Sequence, residues 1–215
     1  MRIMLRFVTI FMVCAACFRP EAVCADNLCI NGDFNTVTNE NKPYGWIYDL
    51  AWTKRGPWKN NTQYVSIKEK DGVRKNVLAL AMGNALLHDE SVVISNLMPF
   101  EQGKTYKISF DGRTDGAAER IYIRGYKWKS GIKPHDNPEL SELQDIYHGK
   151  PFEPLTKSWK RMTLNFPYFS KTKSSELNQA SLKNIRFFAL YITIPIIDNK
   201  PKGSVYLDNV EITAK

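Results

Sequence analysis

The segment Gly203-Ser204-Val205-Tyr206-Leu207-Asp208-Asn209-Val210-Glu211-Ile212-Thr213 alternates apolar and polar residues with a period of two, and so reads as a β-strand. The alternation slips midway. Val205 and Leu207 share one parity, Val210 and Ile212 the other. One face of a strand stays buried only if parity is constant, so the slip predicts a bulge or bend at Asp208-Asn209. The turn Asn31-Gly32-Asp33-Phe34 is the expected neighbour of this closing strand, which brings the two ends of the domain together.

Working outward, short alternating runs recur along the chain. Leu28 to Phe34 and Tyr44 to Leu50 read as strands, followed by Gln63 to Lys68, Asn76 to Met82 and Ser91 to Leu97. Lys104 to Gly112 places Tyr106, Ile108 and Phe110 on one face. Glu119 to Trp128 places Ile121 and Ile123 on one face, and Tyr122, Arg124, Tyr126 and Trp128 on the other. Residues 129–158 carry four prolines and read as a long loop, with a short helical turn within Pro138 to Gln144. Trp159 to Phe166 resumes the strand pattern. Ile185 to Ile196 is the longest apolar run after the leader and fits a central strand buried on both faces. Many short strands with Gly, Pro and Asn between them, and almost no helical period, predict an all-β fold: an antiparallel jelly-roll β-sandwich.

The chain has 215 residues, enough for a single domain with a full core. Residues 1–25 read as a signal peptide. Arg2 and Arg6 precede an apolar run from Phe7 to Phe18, too short to span a bilayer, and Val23-Cys24-Ala25 offers a small-residue cleavage site. Residues 26–215 then form the single domain, secreted, periplasmic or at the cell surface. A lipoprotein anchor at Cys17 is disfavoured by Cys14, which stands where a leucine-like residue is usual. No later stretch has the length and apolarity of a transmembrane helix. Loss of the leader removes three arginines and one glutamate, which takes the formal charge from +8 to +6. A modest positive excess suits a solvated basic surface or anionic partners. Nucleic acid is not expected, because no dense basic run or recognised motif is present. Of four cysteines only Cys29 lies outside the leader, so the domain has no intramolecular disulfide. Cys29 itself reads as a small buried residue.

Five short motifs occur in order: Asn31-Gly32-Asp33-Phe34, Tyr44-Gly45-Trp46, Gly103-Lys104-Thr105-Tyr106-Lys107-Ile108-Ser109-Phe110, Ser158-Trp159-Lys160-Arg161 and Tyr206-Leu207-Asp208-Asn209-Val210. The ordered set resembles the carbohydrate-binding modules of families four, nine, sixteen and twenty-two, with a galactose-binding-like jelly roll. That resemblance implies a protein that holds a polysaccharide or oligosaccharide without cleaving it. It also implies a structural calcium where the chain ends meet, at the Asn31–Asn35 turn, with Asp33 and Asp208 as ligands. Asn35 departs from the family, which has glutamate after the phenylalanine, and Asp33 would have to supply the missing charge. Trp46 and Trp159 occupy positions that the family pattern fills with core residues.

A sugar site needs flat apolar faces and a few polar groups. The Tyr122, Arg124, Tyr126 and Trp128 face supplies both, unless the 129–158 segment covers it as a second small core. Trp52 and Trp58, in a loop with Lys54, Arg55, Lys59 and Asn60, are the other binding candidates. Arg124 and the basic loop point to an acidic glycan. Catalysis is not expected. His88, His135 and His148 lack zinc spacing, no nucleophile motif appears, and the acidic residues are scattered. Two alternatives remain open: a cell-envelope adhesion protein that uses the same scaffold to bind protein, and a polysaccharide lyase built from Tyr122, Arg124 and His148.

Overall fold

The computed structural model describes residues 26–48, 61–82, 91–168, 181–195 and 203–215. The expected signal peptide over 1–25, the loop tryptophans Trp52 and Trp58, and His88 lie outside them. The described residues form ten strands: β1 (Val65–Asp71), β2 (Arg74–Ala81), β3 (Ser91–Ile94), β4 (Met98–Pro99), β5 (Tyr106–Thr114), β6 (Arg120–Trp128), β7 (Leu143–His148), β8 (Lys160–Phe166), β9 (Phe187–Ile194) and β10 (Ser204–Ala214). They form two antiparallel sheets, ordered β1-β2-β10-β5-β8 and β3-β9-β6-β7, with β4 also paired to β9. The fold is an all-β jelly-roll sandwich.

The alternation seen in the sequence sorts side chains between core and surface. Ile108 and Phe110 of β5, Met162 and Phe166 of β8, and Leu78 and Leu80 of β2 point inward. Across the core they meet Ile121 and Ile123 of β6 and Phe188, Leu190 and Ile192 of β9. Tyr106, Phe166 and Phe188 pack ring on ring, with centroids 4.6 and 5.1 Å apart for Tyr106–Phe188 and Phe166–Phe188. Each fully buried large apolar side chain contributes about 1.5–3 kcal/mol relative to exposure. β9 is central and buried on both faces, as its continuous apolar run predicts.

The bulge in β10 is present. Its pairing with β5 shifts register between Asp208 and Glu211, and Asn209 adopts a positive φ of 50°. The shift lets Val205 and Leu207, then Val210 and Ile212, all reach the core. The two ends of the domain meet here. Leu28 N–H donates to Ile212 O and Val210 N–H donates to Gly32 O, both at 2.8 Å. A Cβ on Gly32 would lie 2.0 Å from Val210 O, so only glycine permits this approach.

Four expectations are corrected. Residues 28–34 are not a strand but successive turns, with Asn31 and Phe34 at φ of 51° and 55°. The described part of the 44–50 segment makes a single bridge, Ile47 to Ile94. Within the 129–158 segment the expected helical turn is present, as a 3-10 turn at Leu140–Glu142, but the rest is not all loop, since it also holds the strand β7. Trp159 is not in the core. It lies half-buried on the outer side of the first sheet, its Nε1–H donating to Asp71 at 3.1 Å and the Arg74 guanidinium 4.5 Å from its ring. Trp46 does lie in the core, 5% exposed.

Candidate functional site

β6 runs through the middle of the second sheet, and its outer side chains set the site. Register pairs Tyr122 with Tyr191 of β9, Arg124 with His148 of β7, and Tyr126 with Asp145 of β7. The guanidinium of Arg124 lies 3.5 Å from the Tyr191 ring centroid and donates to the Tyr122 hydroxyl from Nη2 at 2.8 Å. Its Nη1 pairs with Asp145 Oδ2 at 3.2 Å, and the same oxygen meets His148 Nε2 at 2.8 Å. Burial opposes the charge on Arg124, but Tyr191, the bond to the Tyr122 hydroxyl and, last, the Asp145 carboxylate outweigh it and hold the guanidinium protonated. A ring face, a fixed guanidinium, a carboxylate and an imidazole therefore converge on rigid strands.

The structure thus brings together three of the four β6 candidates, Tyr122, Arg124 and Tyr126, and adds Asp145 and Tyr191, which the sequence did not single out. Of the two expectations for this face, open or covered by the 129–158 segment as a second small core, the second holds at Tyr126. Tyr126 is 3% exposed and belongs to a second core cluster with Val92, Ile94, Leu140, Leu143, Ala189 and Tyr191. The 3-10 turn and the start of β7 cover it, because Leu140 and Leu143 bury their side chains on that face. Trp128, opposite Leu143 in register, packs half-buried against the edge of this cluster, with its ring 5.5 Å from Phe187 and 4.9 Å from His135. His135 is fastened to Glu142 at 3.0 Å. Tyr122, Arg124 and His148, the set that a lyase would need, are neighbours. Arg124, however, is already matched by Asp145.

The residues proposed for calcium do not fit it. Asp208 Oδ2 accepts from Arg74 at 2.7 Å, and Oδ1 accepts from Asn209 N–H at 2.8 Å. A guanidinium thus stands where the cation would be needed. Asp33 is exposed and bonded to the Asn35 amide at 2.7 Å. Asn31 spends its side chain on Thr36 and Tyr44 backbone groups. A cavity of about 280 Å³ where the chain ends meet is lined by Asp33 and Glu211, among others, but not by Asp208. Among the described residues no group of three His, Cys, Asp or Glu side chains is placed to hold a metal ion. No helix among them is long and apolar enough to cross a membrane. Cys29 is buried, and burial pushes its thiol up to about 12, so it is inert at neutral pH.

No family model matches the chain, and no curated protein matches it in sequence. Solved structures do. A presumed glycoside hydrolase from Bacteroides thetaiotaomicron is similar over 86% of this chain and 70% of its own, at 10% identity and a TM-score of 0.52. The family 11 carbohydrate-binding module of a Clostridium thermocellum cellulosomal cellulase is 20% identical over 90% of this chain and 96% of its own, with a TM-score of 0.48. A family 4 carbohydrate-binding module is 14% identical over 87% of this chain and 99% of its own, with a TM-score of 0.44. Other similar proteins are much longer, and the chain spans between 21% and 28% of their length. At 10% identity the first of these likenesses speaks for the fold alone.

Proposed function

We propose that this protein is exported and binds a polysaccharide without cleaving it, on the outer face of the second sheet. The observation that carries the reading is the Arg124 cluster. Tyr122 and Tyr191 flank a guanidinium that is tied to Asp145, beside His148. Paired donors and acceptors next to ring faces are the chemistry that neighbouring sugar hydroxyls require. The family resemblance of the ordered motifs points the same way, and the apolar leader supports export.

The glycan favoured by this geometry is neutral rather than acidic. Asp145 cancels the charge of Arg124, so the cluster offers no uncompensated cation to a uronate or sulfate. The test is affinity electrophoresis and calorimetry on neutral glucans and xylans against pectate and sulfated glycans. Binding to a neutral chain, weakened at least tenfold in Tyr191→Ala, is expected. Retention by acidic chains alone would overturn the choice of sugar, and absence of binding throughout would overturn the reading. Release of unsaturated uronic acid from any of the acidic chains would instead establish a lyase.

A second reading, docking of another protein, rests on one observation. Ile30 and Tyr44 are 51% and 58% exposed at the end of the domain where the chain termini meet. Loss of partner capture in Ile30→Ser, with glycan binding absent, would favour it.

A further inference from the structure

Among the described residues, the hydroxyl of Tyr126 in the second cluster and Oδ1 of Asp145 opposite it have no hydrogen-bond partner although both atoms are buried. They belong to residues directly opposite one another on β6 and β7, on the same face. Asp145 Oδ2 is satisfied twice over, by Arg124 and His148, so the unused acceptor is specifically the other oxygen. Buried donors and acceptors are nearly always paired, because one left unpaired forfeits its hydration without return. An unmatched donor beside an unmatched acceptor is the signature of a slot built for a group that is both, namely a hydroxyl.

We propose that Tyr126 and Asp145 form a subsite for one hydroxyl of the bound sugar, the Tyr126 O–H donating to its oxygen and Asp145 Oδ1 accepting its proton. This rests on the sugar-binding reading of the same face and deepens it. Burial, with the Asp145 charge beside it, pushes the Tyr126 hydroxyl above its ordinary value, so it stays a donor at every physiological pH. Arg124 and His148 both hold Oδ2, which leaves Oδ1 as the oxygen for a further donor. Entry of the hydroxyl requires Leu140 and Leu143, which share the cluster with Tyr126, to move outward on the 3-10 turn. Specificity follows from the pairing. A sugar that lacks this hydroxyl leaves both atoms unmatched and is rejected more strongly than loss of a surface contact would allow.

The experiment compares wild type with Tyr126→Phe for two readouts, thermal stability and affinity for whichever neutral glycan of the panel binds wild type. The phenylalanine keeps the ring that packs against Leu140 and Leu143 and removes only the unpaired oxygen. The expected result is an unchanged or raised Tm together with roughly tenfold weaker binding. A purely packing role for the tyrosine, which the phenylalanine ring preserves, predicts affinity intact whatever the Tm does, and that result would overturn the subsite alone. Equal affinity of the two proteins for the glycan would do the same. If wild type binds no glycan, the sugar reading and the subsite fail together.

Discussion

Asp111 on β5 and Asp208 on β10 stand directly opposite one another, and Nη1 of Arg74 bonds both, at 2.9 and 2.7 Å. Like charges facing each other across a strand pair are destabilising. Here one guanidinium from the neighbouring β2 offsets the repulsion, and Asn209, at the bulge, donates to Asp111 at 3.0 Å. The bulge and the ion cluster are thus one arrangement, because the bulge is what turns Asn209 toward the carboxylates.

Replacing Arg74 by Met is therefore expected to destabilise the fold by about 3 kcal/mol, since two largely buried carboxylates lose their shared partner. Urea denaturation measures it. Adding Asp208→Asn to that variant should restore a large part of the loss by removing one of the two facing charges. Additive losses in the double variant would show that the carboxylates do not sense each other.

Acid should weaken the protein through Asp71. Arg113 donates to its two oxygens at 2.6 and 2.8 Å, and Lys68 adds a third bond at 2.8 Å. The Arg113 bond leads in holding this carboxyl well below the usual range, with burial opposing it. The unfolded chain titrates near the ordinary aspartate value of about 3.9. A depressed folded value means that the contribution is whole above that value and drains away as pH falls below it. Asp111 acts in the same direction. Burial raises it, but the Asn209 bond and the charges of Arg74 and Arg161 bring it below normal. Stability should be flat from neutral pH to about 5 and fall below about 4, and Arg113→Gln should shrink that fall. A Tm profile against pH for both proteins decides it.

Gly32→Ala should destabilise by about 1–3 kcal/mol, through forced displacement of the turn from β10. The added methyl would sit 2.0 Å from the Val210 carbonyl oxygen, a backbone atom that cannot rotate away. Thermal melts read the loss, and hydrogen exchange at Val210 N–H should quicken with it. Gly72→Ala is the control. Nothing lies within 4 Å of its added carbon, although its φ of 64° adds some backbone strain.

Glycan affinity should be nearly indifferent to salt. Raising salt from about 0.1 to 1 M shortens the Debye length from about 10 to 3 Å. With Arg124 matched by Asp145, binding should change less than about twofold. A steep decline would mean that uncompensated cations hold the ligand.

The sequence made strands β5, β6, β8, β9 and β10 legible, because each keeps a clean alternation or a continuous apolar run. The slip of parity in the last of them revealed the bulge. β7 escaped notice for the opposite reason. Its own irregularity opposite Gly125 and Tyr126 breaks the period within six residues, among prolines that read as loop. Asp145 was hidden with it. Tyr191 was hidden by its surroundings, since an unbroken apolar run gives no hint of which face a residue takes. Only the register that sets it opposite Tyr122 does so. Residues 28–34 misled because Cys29 and Phe34 fill the core from turns rather than from a strand. For Trp159 the parity was informative and the family pattern was not. The phase that sends Met162, Leu164 and Phe166 inward sends Trp159 outward.

The antiparallel contact between residues 28–32 and the end of β10 sets how the molecule answers to tension. The bonds at Leu28–Ile212 and Gly32–Val210 lie one behind the other as seen from the two termini. A pull between the termini would load them in succession, so the first segment would peel from the sandwich like a zipper at low force. The same bonds sheared along the strand axis would share the load and resist together.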